Sequence, residues 1–129
     1  MQDLNGMLFV WKDGRIMKRG EICLVNLSPA IGTELKDLHY CVVVQSGIIE
    51  HDLRPRTIVV PFTSVAPKKF LPYVVQVDPP EGDLKHRSYA LCDQVTRIDK
   101  SRIVKSGALP LSSLVMAKID EALRLVLEL

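Results

Sequence analysis

The chain has 129 residues, of which 47% are hydrophobic and 25% are charged, an ordinary balance for a globular protein. Its formal net charge of +2 is too small for a general electrostatic binder of nucleic acid, but it leaves room for a local basic patch. The length predicts one domain, and no apolar run approaches the roughly 18 residues of a membrane span.

The cysteine pattern and the N-terminal segment set the expected context. Cys23, Cys41 and Cys92 form no Cys-x-x-Cys pair, and their odd number favours a reducing, cytoplasmic environment. The apolar run at residues 7–11 is too short for a signal peptide, and Asp3 stands where basic residues are expected. We expect residues 1–17 to be an N-terminal extension and residues 18–129 to form the main domain.

Most of the chain has the pattern of short β-strands. Residues 20–27 alternate so that Cys23, Val25 and Leu27 share one face. Pro61 lies near the end of another strand segment and indicates an edge strand or a bulge. The strand segments are, in order, residues 20–27, 40–45, 57–62, 73–77, 88–92 and an irregular, bent strand at 93–103.

One helix closes the chain at residues 111–129. Val115, Ile119, Ala122, Leu123 and Val126 recur at helical spacing, and Ser112 or Ser113 is suited to cap the start. Several C-terminal leucines fall off this stripe, which suggests contact with a second surface such as another subunit. Five or six strands followed by one helix predict a mainly β fold, a small bent sheet or barrel.

The most informative stretch is residues 32–44, where a polar loop leads into an apolar strand. The loop carries Glu34 and His39, and the strand at residues 40–44 is too apolar for a surface. A core strand fixes the loop at its end, and loops fixed in this way commonly carry catalytic groups.

The chain has no phosphate-binding glycine loop, nucleophile elbow or metal-ligand cluster. A nuclease built on it is therefore expected to work without a metal or other cofactor. Metal-free RNA cleavage needs a base for the 2′-hydroxyl, an acid for the 5′-oxygen and donors for the phosphate. Candidate groups at strand ends are Glu34, His39, Thr63, Ser64 and Asp93. Candidate phosphate-binding side chains are Arg54, Arg56, Lys68, Lys69, Arg87, Arg97, Lys100 and Arg102.

Each candidate also has an ordinary structural interpretation. A loop glutamate or a lysine pair is commonly a solvated charge, and Thr-Ser after a strand commonly forms a turn that bonds its own backbone. Residue patterns alone therefore indicate a small β-rich domain with a C-terminal helix.

Several motifs in order resemble the MazF/PemK (Kid) family of toxin endoribonucleases. They are residues 19–29 (RGEICLVNLSP), 31–34 (IGTE), 42–44 (VVV), 60–64 (VPFTS), 91–102 (LCDQVTRIDKSR) and 119–123 (IDEAL). The resemblance runs from about residue 18 to the end. It implies an SH3-like barrel, a homodimer and metal-independent, sequence-specific cleavage of single-stranded mRNA that inhibits translation and growth. It also implies a cognate MazE-like antitoxin whose acidic tail covers the RNA groove.

The resemblance assigns roles by position. Glu34 matches the family's loop glutamate, Thr63 and Ser64 match its active-site pair, and Asp93 with Gln94 matches the Asp-Gln of the substrate groove. Glu34 is then a base or an orienter of His39, His39 an acid/base, and Thr63 a donor to the phosphate. The expected RNA-binding residues are Ser64, Arg54, Arg87, Asp93, Gln94, Lys68 and Lys69.

At residues 39 and 40 the sequence has His39-Tyr40 where the family usually has Arg-Pro. Histidine transfers protons near neutral pH, whereas arginine is a permanent cation. Three interpretations stay open: His39 works as an acid/base, a displaced Arg54 or Arg87 supplies the charge, or the protein is an attenuated module that binds RNA or antitoxin. A gyrase poison like CcdB is a further alternative, although those toxins depend on a C-terminal tryptophan and the only tryptophan here is Trp11.

Overall fold

The computed structural model describes residues 18–46, 55–106 and 109–129. The proposed extension at residues 1–17 and the candidate Arg54 lie outside the described residues. The described elements are seven strands and one α-helix, which confirms the predicted mainly β fold with a C-terminal helix. They are β1 (Ile22–Asn26), β2 (Leu38–Val43), β3 (Arg56–Thr63), β4 (Val74–Val77), β5 (Ser88–Leu91), β6 (Thr96–Asp99), β7 (Ile103–Ser106) and α1 (Ser113–Leu127).

The strands form one antiparallel sheet in the order β4-β5-β3-β2-β1-β7, with β6 also paired to β3. Strand β3 is central: Val59 pairs with both Val43 of β2 and Thr96 of β6. Further along, Phe62 pairs with Ala90 of β5. Because β3 exchanges one neighbour for another along its length, it can serve both halves of a bent, barrel-like sheet.

Pro61 indicated an edge strand or a bulge, and the first of these two interpretations is wrong. Pro61 is buried within β3 and pairs with Cys41 of β2. On the other side of β3, pairing with β6 ends at Val59 and pairing with β5 begins at Phe62. The missing N–H of Pro61 therefore falls where β3 changes partner, so a central strand tolerates it.

The irregular strand expected at residues 93–103 is instead two strands with 3-10 turns. Cys92–Gln94 and Lys100–Arg102 are 3-10 helices that flank β6. The Asp99 side chain accepts a hydrogen bond from the Ser101 N–H and so caps the second turn. A local side-chain bond thus redirects the chain into β7, which pairs with β1.

Two buried clusters lie against the sheet. The larger packs Ile22, Val42, Val60 and other strand residues against Ile119 and Ala122 of α1. The smaller contains Cys23, Val25 and other residues that alternate with the first set. The predicted alternation of the first strand is therefore confirmed, and both faces of the sheet are apolar.

Helix α1 begins and packs as its pattern indicates. The Ser112 hydroxyl accepts from the Val115 N–H, which confirms one of the two expected caps. Arg19 also donates to Asp120 at 2.6 Å, which ties α1 to the segment before β1. The leucines that fall off the buried stripe, Leu125 and Leu127, are about half exposed.

Candidate functional site

A cavity of about 680 Å³ opens where the end of β3, the start of β2, β7 and the loop before β5 meet. We call it the first cavity. The polar lining side chains that matter for its chemistry are His39, Thr63, Ser64, Lys85, His86 and Lys105. Its lining also includes one carboxylate, that of Asp83. The excess of basic over acidic groups suits the first cavity to an anionic ligand.

His39 lies within β2, so the expectation that it belongs to the preceding loop is wrong. It pairs with Val25 of β1. The His39 Nδ1 atom lies 2.9 Å from the Phe62 carbonyl oxygen of β3. A carbonyl oxygen can only accept, so Nδ1 carries the proton and Nε2 of the neutral ring is left as an acceptor. The neighbouring strand thus sets both the orientation and the tautomer of this imidazole.

Thr63 is the last residue of β3, and Ser64 follows it in an exposed turn. The Thr63 Oγ1 atom accepts a hydrogen bond from the Val65 N–H at 3.2 Å. This is the ordinary local turn that the sequence allowed. It fixes the hydroxyl at the mouth of the cavity, and because the hydroxyl accepts from the backbone, its own proton is available for donation.

A short 3-10 turn, Glu81–Asp83, forms another wall of the first cavity. Gly82 there has φ of +54°, and a Cβ at this position would meet Ile22 Cδ1 at 2.3 Å. Both oxygens of the Glu81 carboxylate accept from Ser112, from its N–H at 2.9 Å and its hydroxyl at 2.8 Å. The turn is thereby tied to the start of α1, so the wall is held in place by the helix.

A second cavity of about 350 Å³ contains four other predicted residues: Glu34, Gln94, Arg97 and Arg102. The Glu34 carboxylate accepts from the Ile31 N–H at 2.7 Å, a bond that closes its own loop. Arg102 also lines this cavity and donates to the Ser28 carbonyl at 2.6 Å. Glu34 and His39 therefore line different cavities, and the contact that orients His39 comes from Phe62.

Four other predicted residues within the described ranges, Arg87, Lys68, Lys69 and Asp93, lie outside both linings. Arg87 donates to Asp78 at 2.6 Å, and this hydrogen bond lowers the pKa of the Asp78 carboxyl below its usual value. Lys68 and Lys69 are exposed in the loop after β3, and Asp93 is exposed in the 3-10 turn that holds Gln94.

The suggestion that Lys100 holds a phosphate is wrong. Its side chain is fully buried, in the 3-10 turn that follows β6. A residue without solvent exposure in the folded domain cannot contact a polyanion at the surface. Burial of a single lysine has no sequence signal, so Lys100 could not be distinguished from the other basic residues near the Asp-Gln motif.

Tyr40 and Lys105 line the first cavity, although neither was predicted as a site residue. Tyr40 was assigned to a buried strand, yet 42% of its surface is exposed. Lys105 belongs to β7, a strand that the pattern did not predict. Only the pairing of β7 with β1 brings this lysine to the cavity. With only four residues, Ile103–Ser106, this strand is too short for a distinctive apolar alternation.

Two findings concern other kinds of site. Among the described residues, no group of three or more His, Cys, Asp or Glu side chains is arranged to hold a metal ion. Within the same ranges, no helix has the length and apolar character needed to span a membrane.

Comparison with known proteins gives the class of protein to which this fold and site belong. The family model of PemK-like, MazF-like toxins of type II toxin–antitoxin systems matches residues 18–127. Endoribonuclease EndoA of Bacillus subtilis is 32% identical over 114 residues, which cover 88% of this chain and 97% of that protein. Endoribonuclease MazF of Staphylococcus saprophyticus is 28% identical and covers 88% of this chain and 93% of its own length.

Solved structures agree on the fold. An endoribonuclease from a mycobacterial species, in complex with its cognate antitoxin, superposes with a TM-score of 0.68 at 18% identity. The match covers 88% of this chain and 96% of that one. MazF from Deinococcus radiodurans superposes with a TM-score of 0.68 at 21% identity, over 88% of this chain and 98% of that one. The sheet with its C-terminal helix is therefore of the MazF type, as expected. The chain belongs to the PemK/MazF family of toxins of type II toxin–antitoxin systems.

Proposed function

We propose that this toxin is an endoribonuclease that cleaves single-stranded mRNA in the cytoplasm and so inhibits translation and growth. The observation that carries the proposal is the first cavity, where His39 and Thr63 lie with several basic side chains. A proton acceptor, a hydroxyl donor and fixed positive charge are the groups that metal-free RNA cleavage requires. The names of the relatives from Bacillus and Staphylococcus support the same activity.

His39 is the proposed general base. Its Nδ1–H donates to the Phe62 carbonyl, which leaves Nε2 to take the proton of the attacking 2′-hydroxyl. The 2′-oxygen then forms a bond to the adjacent phosphorus, and the bond from phosphorus to the 5′-oxygen breaks. The products are a 2′,3′-cyclic phosphate and a 5′-hydroxyl, so no water is consumed in this step.

The other groups of the first cavity have complementary roles in this proposal. The Thr63 hydroxyl donates to a non-bridging phosphate oxygen, where negative charge develops in the transition state. Lys85 and Lys105 add ammonium groups to the same lining. The leaving 5′-oxygen needs a proton from a second donor, and His86 supplies a second imidazole among the described residues of this lining.

The second cavity is the proposed path for RNA that flanks the cleaved bond. Glu34 and Gln94 offer an acceptor and an amide to base edges, while Arg97 and Arg102 offer charge to phosphates. Ser64 lines the first cavity and is the proposed RNA contact there. In this assignment Glu34 contacts substrate, because it lines the second cavity with Gln94 and His39 lines the first.

The partners proposed are a second copy of the chain and a MazE-like antitoxin. Exposed Leu125, Leu127 and Leu129 offer apolar surface for a homodimer. The structural relative that was solved with its cognate antitoxin supports the second partner. An acidic antitoxin segment would compete with RNA for the basic first cavity, and this competition would neutralise the toxin.

The test is cleavage of a long unstructured RNA by the purified protein in excess chelator. We expect fragments with 5′-hydroxyl and cyclic phosphate ends, and no cleavage of single-stranded DNA of the same sequence, which lacks the 2′-hydroxyl. No cleavage by either the wild type or His39→Arg would refute a nuclease. Tight RNA binding without product, with cleavage restored by His39→Arg, would instead identify an attenuated module.

A further inference from the structure

Three side chains form one row across the sheet beside His39. In the antiparallel register, Leu24 of β1 is the partner of Tyr40 on one side and of Lys105 on the other. Directly opposed residues of neighbouring strands point to the same face of a sheet. The row therefore brings an aromatic ring and an ammonium group together, with the Lys105 Nζ atom 5.9 Å from the centre of the Tyr40 ring.

Both ends of this row line the first cavity and are open to solvent. Tyr40 keeps 42% of its surface exposed, and Lys105 is exposed as well. Within the part of the chain that the structure describes, Lys105 forms no ion pair with a carboxylate. Its stacking on the ring is at the outer distance limit for a cation–π contact and is weak at an exposed site. Among the described residues, only this weak contact between Lys105 and Tyr40 has to be broken before either side chain can contact a ligand.

We propose that Tyr40 and Lys105 form a nucleotide subsite adjacent to His39 and Thr63. The Tyr40 ring stacks on an unpaired base next to the cleaved bond, and Lys105 contacts the phosphate of that nucleotide. The inference rests on the proposed function, because it takes single-stranded RNA as the ligand. It goes beyond that function by naming which strand residues hold the substrate rather than transform it.

The chemistry of the row is that of a single-strand binding surface. An aromatic face accepts any base, and a nearby cation follows the backbone, so the pair binds nucleotides with little dependence on sequence. Lys85 and His86 extend the basic lining beyond the row, which favours a polyanion over an uncharged peptide. Double-stranded nucleic acid cannot use the ring, because its bases are already stacked on one another.

The experiment measures binding of the full chain to a fluorescent, unstructured 2′-O-methyl RNA, which cannot be cleaved because its 2′-oxygen is blocked. Affinity is recorded against salt concentration for the wild type, Lys105→Gln, Lys105→Arg, Tyr40→Phe and Tyr40→Leu. Lys118→Gln is the matched control, because this exposed lysine of α1 lies outside both cavity linings. Thermal melting of each variant verifies that it is folded.

The Lys105 variants and the Tyr40 variants are expected to change RNA binding in different ways. Lys105→Gln should reduce the slope of log affinity against log salt by about 0.7, the value for one phosphate contact on a single strand. Lys105→Arg should keep the slope of the wild type. Tyr40→Leu should weaken binding about tenfold with the slope unchanged, whereas Tyr40→Phe keeps the ring and should bind like the wild type. On cleavable RNA, both losses should appear mainly in KM and much less in kcat.

A slope for Lys105→Gln equal to that of Lys118→Gln would overturn the subsite, as would wild-type affinity in Tyr40→Leu. If the wild type still cleaves RNA in that case, the proposed function stands and only the subsite fails. If the wild type neither binds nor cleaves RNA, the proposed function fails and the subsite fails with it.

Discussion

Replacement of His39 by asparagine separates the structural contact of this residue from its proposed chemistry. The asparagine Nδ2 atom occupies nearly the same place as the histidine Nδ1 atom, so His39→Asn can keep the 2.9 Å hydrogen bond to the Phe62 carbonyl. That bond contributes about 1 kcal/mol to stability, and its retention should hold the free energy of unfolding within about 1 kcal/mol of the wild type. What the variant loses is the Nε2 atom.

The catalytic loss should be far larger than the structural one. A positioned general base contributes about 10²- to 10⁴-fold to rate, which corresponds to about 3–5 kcal/mol of transition-state stabilisation. We therefore expect kcat to fall by that factor in His39→Asn, with little change in affinity for uncleavable 2′-O-methyl RNA. Single-turnover cleavage of a short labelled RNA and urea unfolding measure the two quantities separately.

One result would refute the assignment of His39 as the base. If His39→Asn is folded and cleaves RNA within about threefold of the wild-type rate, the proton is removed by another group. Loss of activity together with a loss of several kcal/mol in stability would contradict the claim that the Phe62 contact is retained. The paired measurements therefore distinguish a chemical role from a structural one.

Three further predictions follow from hydroxyl and thiol groups. Thr63→Val removes the hydroxyl that donates to the phosphate and should lower kcat by about 10- to 100-fold, whereas Thr63→Ser should retain most activity. Equal activity of the two variants would contradict the role of Thr63 as a hydrogen-bond donor. Thr57 is fully buried in β3, and its hydroxyl has no hydrogen-bond partner among the described residues. Thr57→Val should therefore raise the free energy of unfolding, measured by urea titration, by about 1 kcal/mol. A free energy of unfolding below that of the wild type would indicate that the hydroxyl is hydrogen-bonded. Burial raises the pKa of the Cys41 thiol to about 12. Because the thiolate is the reactive form, labelling at pH 8 by an aromatic disulfide should be slow in the folded protein and fast in guanidinium. Fast labelling of the folded Cys23→Ser/Cys92→Ser protein would show that Cys41 is accessible.

Local patterns were sufficient for the class of fold. The alternation around Cys23 and Val25, and the helical spacing of Val115, Ile119 and Ala122, each report which face of an element is buried, because strands and helices repeat over only a few residues. The Ser112 cap was predictable for the same reason, since its bond spans three residues. Ordered motifs such as RGEICLVNLSP then identified the family without any knowledge of the tertiary structure.

Features that depend on contacts between strands distant in sequence were not determined by local patterns. Nothing local shows that Pro61 falls where β3 changes partner, or that Lys100 is buried while Lys105 is exposed.

The composition of the site was likewise decided by strand pairing. Sequence proximity grouped Glu34 with His39, but β-pairing places His39 against Phe62 and leaves Glu34 with Gln94. The same pairing carries Lys105 across β1 to Tyr40, although the two residues are far apart in the chain. Sequence alone thus determined the family, most of the strands, the C-terminal helix and the identity of His39 and Thr63 as candidates. Tertiary structure decided which groups meet them, because strand register sets cross-strand neighbours and is fixed by the packing of the whole sheet.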